Sequence, residues 1–361
     1  MTVELAELTE VVERLTGATK PGRWRSKKLY DPIASATAGI WRISGDRWSV
    51  VLKLVRHGEG GHPNWLSSED PDHWYYWRRE VLAYQSGLLT SFVGGLRGPR
   101  CLGIFERGDG SVALWLEDAG HGSPATSWGL EPYEDAARHI GQAQGALALE
   151  QPLRAEPWFS REWLRAYLTE RDRDMGLLTD ATAWSWPLVR DNLSRGHAES
   201  LRRLRHDQGL FLGALDRLPR TVCHFDLHPA NLFAVEGQTV LIDWAFVGVG
   251  ALAEDAAVLV ADSVLDFHVE PELFGELFEV VRRGYLDGLR RAGWEGPAEL
   301  VELGMCATLG ARYAWIGPAL LAAVVAERSI MNRRPIAEAV TCWAQTIPFL
   351  LAHADRARQL A

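Results

Sequence analysis

The stretch "HFDLHPANLFAVEGQTVLIDW", residues 224–244, gathers two histidines, two aspartates and an asparagine around two short apolar runs. The runs flank "EGQ", which predicts a β-hairpin. Asn231 and Asp243 lie six residues either side of Gly237, so a hairpin centred there sets them face to face at its open end, give or take a bulge. Directly opposed residues hold their Cβ atoms about 5 Å apart. Two oxygen-bearing side chains at that spacing make half of a Mg²⁺ site, completed by water and phosphate oxygens. Asp226 sits in the loop that enters the hairpin, where a free carboxylate is placed to take a proton from an incoming hydroxyl. Any one of these residues alone reads as a turn former. The spaced set does not.

Working upstream, "WSVVLKLV" (48–55) is a strand whose only charge is Lys53. A buried ammonium without a partner costs several kcal/mol, so the strand calls for a carboxylate, the alternative being an edge lysine that snorkels to water. Glu80 is the candidate, carried on a helical pattern in "WYYWRREVLAYQSGLL"; Glu59 and Glu69 in the intervening loop are its rivals. Only four of the 38 basic residues are lysines, so a lysine here points to a compact point charge rather than a generic cation.

The wider chain divides into two kinds of pattern. Hairpins are expected in "AGIWRISGDRWSVVLKLV" and "PRCLGIFERGDGSVALWLEDAG", with an opening helix before them and one internal helix between them. From about residue 131 the periodicity is helical, apart from a β-rich patch over 221–247. These patterns predict an α+β fold of two lobes: 1–118, a small antiparallel sheet with one helix, and 119–361, larger and mostly helical. A single crossing at "LWLEDAG" joins them and leaves a cleft.

A net charge of −9 argues against a nucleic-acid partner. The four cysteines show no metal or disulfide spacing, and the acidic amphipathic start is unlike a signal peptide. The longest apolar run, "YAWIGPALLAAVVA", reads as a buried helix rather than a span. A cytoplasmic protein with no membrane partner is expected; the sequence gives no oligomeric state.

The order Lys53, Glu80, "HFDLHPAN", "LIDW" resembles the aminoglycoside phosphotransferase and choline kinase-like family, a branch of the protein-kinase fold. The likeness runs from about residue 30 to 330 and is most specific in the downstream block. It implies Asp226 as catalytic base, Asn231 and Asp243 as Mg²⁺ ligands, and Lys53, held by Glu80, on the phosphates of ATP or GTP. It implies a hinge in which the backbone of Glu117 and Ala119 faces the base, and His224 as a brace of the catalytic loop. Asp255 matches the family's buried aspartate, or equally an ordinary helix-start carboxylate. "ASATAGIW" holds one glycine where a glycine-rich loop would hold three; Ser35, Thr37 and Gly39 are the phosphate-loop candidates, with a plain β-turn as the alternative.

Only 11 residues separate Asp243 from Asp255, too few for a peptide-docking activation segment, so a small-molecule hydroxyl is the expected acceptor. An antibiotic of aminoglycoside or nucleoside type, a sugar or an amino alcohol all fit. Asp262 and Asp266, one turn apart, and Trp315 are candidate acceptor contacts. Two other readings stand beside the kinase: a catalytically silent nucleotide-binding protein, and a metallohydrolase using His224, Asp226 and His228 on one strand face.

Overall fold

The computed structural model describes residues 3–30, 34–58, 65–172, 174–326 and 334–361. Helix α1 (Leu5–Thr16) buries Leu8, Val11 and Val12 on one side and ends at Gly17, whose φ of +75° suits a residue without Cβ. Strands β1 (Arg25–Tyr30), β2 (Thr37–Ser44) and β3 (Ser49–Val55) follow. Next come α2 (Arg79–Gln85), α3 (Leu88–Ser91), β4 (Leu96–Arg97), β5 (Cys101–Glu106) and β6 (Val112–Glu117). The first sheet is antiparallel in the order β1-β2-β3-β6-β5. One of its faces packs Leu52, Ile43 and Trp115 against α1.

Two local expectations differ here. β1, "RSKKLY", lay outside the expected hairpin because all six of its residues are exposed, so no burial alternation marks this edge strand. The helical pattern expected from Trp74 begins only at Arg79. Residues 74–77 instead form turns and, at Tyr76, a single bridge to Ser68, tied down by the Arg79 guanidinium, which donates to the carbonyls of His73 (2.8 Å), Trp74 (2.9 Å) and Trp158 (2.9 Å). Trp74, Tyr75 and Trp77 are each buried there, and that burial without a helix mimics helical periodicity in the sequence.

Beyond the crossing, the short strand β7 (Ser123–Pro124) leads into α4 (Leu130–Leu149), α5 (Trp163–Arg171), α6 (Ala181–Ser185), α7 (Pro187–Asn192), α8 (Arg195–His206) and α9 (Gln208–Asp216). Four strands come next: β8 (Arg220–Cys223), β9 (Leu232–Val235), β10 (Gln238–Leu241) and β11 (Gly248–Ala251). Helices α10 (Glu254–Leu265), α11 (Phe274–Arg291), α12 (Ala298–Arg312), α13 (Ile316–Val325) and α14 (Ile336–Leu360) complete the fold. The result is the expected bilobal α+β architecture, with a small antiparallel sheet lobe and a large helical one. β4, from the first lobe's part of the chain, pairs in parallel with β10 in a second sheet, order β4-β10-β9-β7.

Helices α4 and α11 meet backbone to backbone. A Cβ at Gly284 would lie 2.3 Å from the Glu134 carbonyl oxygen, and one at Gly141 2.2 Å from that of Tyr285. Residues Ala298–Val325 are apolar enough to cross a bilayer by composition alone, but they form two helices and 78% of the most apolar window is buried inside the fold.

The hairpin at β9–β10 corrects the expected register. Its turn is the residue pair Glu236 and Gly237, with φ of +50° and +76°, the two-residue turn that matches strand twist. Leu232 therefore pairs with Leu241, and Ile242 N–H donates to the Asn231 carbonyl (3.0 Å). Asn231 faces Ile242, not Asp243. Asp243 comes one residue later, at a φ of +63° that turns the chain out of the ladder.

Candidate active site

Lys53 projects from β3 into the gap between the lobes and is almost fully buried. Its Nζ lies 2.6 Å from Glu80 Oε2 and 2.8 Å from Asp243 Oδ1, joining residues 190 positions apart in the chain. Glu80 is thus the partner, Glu69 is exposed elsewhere, and Glu59 lies outside the described residues. Burial works against the ammonium, but Asp243 and Glu80 hold its pKa above the usual lysine value. Burial would raise Asp243 as well, yet Lys53 keeps it below the ordinary aspartate range. Glu80, the most enclosed of the three, is pushed up to about 7 by burial, with Lys53 pulling the other way. About a third of the Asp243 side chain (36%) still reaches the cleft.

The catalytic-loop candidates converge on the same gap. Asn231 Nδ2 donates to the Asp226 carbonyl (2.9 Å) and to Asp226 Oδ2 (3.2 Å). With Nδ2 so used, Oδ1 is the atom of Asn231 that remains free for a hard cation. His224 lies behind the loop. Its Nδ1 accepts from Asp226 N–H (3.2 Å) and its Nε2 donates to the Ile242 carbonyl (3.0 Å), a neutral imidazole whose pKa burial lowers. Asp255, in the first turn of α10, reaches back to accept from the backbone N–H groups of His224 (2.7 Å) and Phe225 (2.8 Å) and from Gln144 Nε2 (2.7 Å). It is both a helix-start carboxylate and the clamp of the loop, and burial raises its pKa.

The arrangement of His224, Asp226 and His228 differs from the strand face that a three-ligand metal centre would need. The segment is a loop, Phe225 within it has a φ of +66°, and both His224 ring nitrogens are already engaged. Among the described residues no group of three His, Cys, Asp or Glu is placed to hold a metal ion.

At the phosphate-loop position, residues 31–33 lie outside the described residues. Ser35 is buried, and its hydroxyl donates to Ser67 Oγ (2.9 Å) while accepting from Ser67 N–H (2.5 Å). Thr37 opens β2 opposite Val55. At Gly39 the Trp41 ring lies over the backbone, 2.0 Å from where a Cβ would stand. At the crossing, the Glu117 carboxylate is occupied by Arg97 (2.7 and 3.1 Å) and Arg100 N–H (2.9 Å). Ala119 is buried against Val235 and Val240, with Phe233 and Ile242 beside them, an apolar shelf under the hinge.

Asp262 and Asp266 come to the other side of Asp226. His228 bridges Asp226 Oδ2 and Asp266 Oδ2, at 3.8 Å from each, and Tyr313 Oη donates to Asp262 (2.7 Å). Burial opposes a charge on His228, but Asp226 and Asp266 raise its pKa above the ordinary value. Asp266 is pushed up to about 7, by burial first and then by Asp262. Trp315 stands behind Tyr313, edge-on to Trp343, and is partly buried.

Sequence reasoning missed one charged residue of this wall. Arg312, at the end of α12, is buried, donates through Nη1 to the Phe225 carbonyl (2.7 Å), and lies 3.8 Å from Asp262. Nothing local in "LGARYAW" marks it; its partners are far away in sequence.

The sequence model of the family described as "Phosphotransferase enzyme family" matches residues 93–300. No curated protein matches the chain in sequence. Among solved structures, an amicoumacin kinase in complex with AMP-PNP and Ca²⁺ superposes with a TM-score of 0.54 at 14% identity, over 91% of this chain and 88% of that one. A choline/ethanolamine kinase family protein from Mesorhizobium loti gives 0.54 at 15% identity, over 98% and 97%. A microcompartment-associated aminopropanol kinase gives 0.54 at 15% identity, over 94% and 95%. At these identities the likeness concerns the fold.

Proposed function

The chain belongs to the phosphotransferase enzyme family, and on that premise we propose that it transfers the γ-phosphoryl group of ATP or GTP to a hydroxyl of a small molecule. The observation that carries the reading is Lys53, whose ammonium joins Glu80 and Asp243 at 2.6 and 2.8 Å. A buried cation bonded to an aspartate that keeps about a third of its side chain in the cleft suits a triphosphate whose charge both a lysine and a divalent ion neutralise.

Asn231 Oδ1 and the cleft-facing oxygen of Asp243 are the donors that would hold Mg²⁺, and all-oxygen donors suit that ion. When bound, it would draw charge from the β- and γ-phosphates. The chain's own residues do the rest. Lys53 binds the phosphates opposite the metal donors, and the apolar shelf of Ala119, Phe233 and Ile242 receives the base. Asp226, tethered by Asn231, orients the acceptor hydroxyl. The hydroxyl oxygen bonds to the γ-phosphorus as the bond from that phosphorus to the β–γ bridging oxygen breaks; the nucleoside diphosphate leaves with the bridging oxygen, and the hydroxyl proton goes to Asp226. The wall of Asp262, Asp266 and His228 meets the acceptor.

Asp226→Ala tests the assignment. Turnover should fall by at least 10³-fold while nucleotide binding, followed by tryptophan fluorescence, stays within twofold. A variant that keeps full turnover removes Asp226 from the chemistry. A wild type that binds nucleotide but transfers to no sugar, aminoglycoside, nucleoside antibiotic or amino alcohol favours a silent binding protein.

A further inference from the structure

The residue before the catalytic-base candidate is in an unusual state. Phe225 has a φ of +66°, a left-handed conformation that costs a residue bearing a Cβ on the order of 1 kcal/mol or more. Such a conformation persists only where its surroundings over-determine it, and three contacts do so here. Asp255 accepts from the Phe225 N–H at 2.8 Å. Trp163 stacks on the Phe225 ring at 5.1 Å with planes 7° apart. Arg312 donates to the Phe225 carbonyl at 2.7 Å.

The third contact bears on chemistry. The Phe225 carbonyl and the Asp226 N–H belong to one rigid peptide plane. Arg312 holds one edge of that plane, and His224 Nδ1 takes the N–H at the other, 3.2 Å away. With this plane held, and with the Asp226 carbonyl accepting from His228 N–H and Asn231 Nδ2 at 2.9 Å each, the direction of the Asp226 Cα–Cβ bond is set; the carboxylate itself takes a 3.2 Å bond from Asn231 and lies 3.8 Å from His228 Nε2. Arg312 is built in rather than draped over the loop. It is buried, its guanidinium lies 4.8 Å from the Trp163 ring and 5.1 Å from that of Tyr167, and its second nitrogen stands 3.8 Å from Asp262 on the acceptor wall.

We propose that Arg312 is the positioning residue for Asp226, setting the 225–226 peptide plane and tying it to the acceptor wall through Asp262. This rests on Asp226 being the base. A displacement of about 1 Å at a reacting group costs on the order of 10²-fold in rate, so a buried guanidinium that fixes the plane is a rate-determining part of the site without touching substrate.

The test uses the full chain and its hydrolysis of MgATP and MgGTP with water as acceptor. Arg312→Met should lower hydrolysis 10- to 100-fold with nucleotide affinity unchanged within twofold, and Arg312→Lys should fall between it and wild type. In an Asp226→Asn background, Arg312→Met should cost nothing further, since its effect passes through the carboxylate already removed. Losses that multiply in the double variant, or Arg312→Lys activity equal to that of Arg312→Met, overturn the proposal. So does a crystal structure of Arg312→Met, or of Arg312→Lys where the methionine variant does not fold, with Phe225 still left-handed and its carbonyl unmoved. If Asp226→Asn hydrolyses as fast as wild type, the base assignment fails instead, and the crystal structure still decides whether Arg312 sets the loop.

Discussion

Replacing Lys53 by methionine removes the cation between buried Glu80 and cleft-facing Asp243 while keeping the volume of the stem. Of the two carboxylates left behind, Glu80 is 3% exposed and gains little water, whereas Asp243, at 36%, already reaches the cleft. Breaking a buried pair in this way costs about 3–5 kcal/mol. The cost should depend on pH. In the wild type burial already pushes Glu80 up to about 7 against the pull of Lys53; without that pull its folded-state pKa rises above 7. A carboxyl raised above its unfolded value contributes its full share of stability only below the unfolded value and loses it as pH climbs to the folded one. Above pH 7 the wild type has finished losing, whereas Lys53→Met continues at up to about 1.4 kcal/mol per pH unit. The penalty should therefore grow from about 3 kcal/mol at pH 7 to about 5 at pH 8.5. Urea unfolding followed by tryptophan fluorescence at the two pH values measures it. Lys53→Met/Glu80→Gln should abolish the growth and be the more stable variant at pH 8.5. A penalty equal at both pH values, or a double variant no more stable than the single, would refute the electrostatic reading.

Two further predictions concern the frame around the site. Glu254 is fully enclosed, has an oxygen without a hydrogen-bond partner, and is pushed up to about 7 by burial. Glu254→Gln should leave the melting temperature unchanged at pH 4.5 and raise it increasingly toward pH 8, a gain of up to about 3 kcal/mol; a pH-independent difference argues against it. Gly284→Ala should cost about 1–3 kcal/mol, because its Cβ would lie 2.3 Å from the Glu134 carbonyl oxygen. On the same helix Gly275→Ala meets nothing within 4 Å and should be neutral or slightly stabilising in the same thermal melt.

The sequence by itself marked Lys53, Asp226, Asn231 and Asp243, which the structure brings to one cleft. A lone lysine in an apolar strand either snorkels to water or finds a carboxylate, and Asp226, Asn231 and Asp243 are close enough along the chain for short-range geometry to gather them. Hairpin register was legible only to within one residue, because a two-residue turn and a wider one share the same apolar pattern. The tertiary structure alone chose Glu80 over Glu69, made Asp255 the clamp of the loop, and brought Arg312 to the Phe225 carbonyl across 87 residues. The reason is physical: periodicity records which face of an element is buried, while a hydrogen bond between distant elements depends on packing angles that no local pattern encodes.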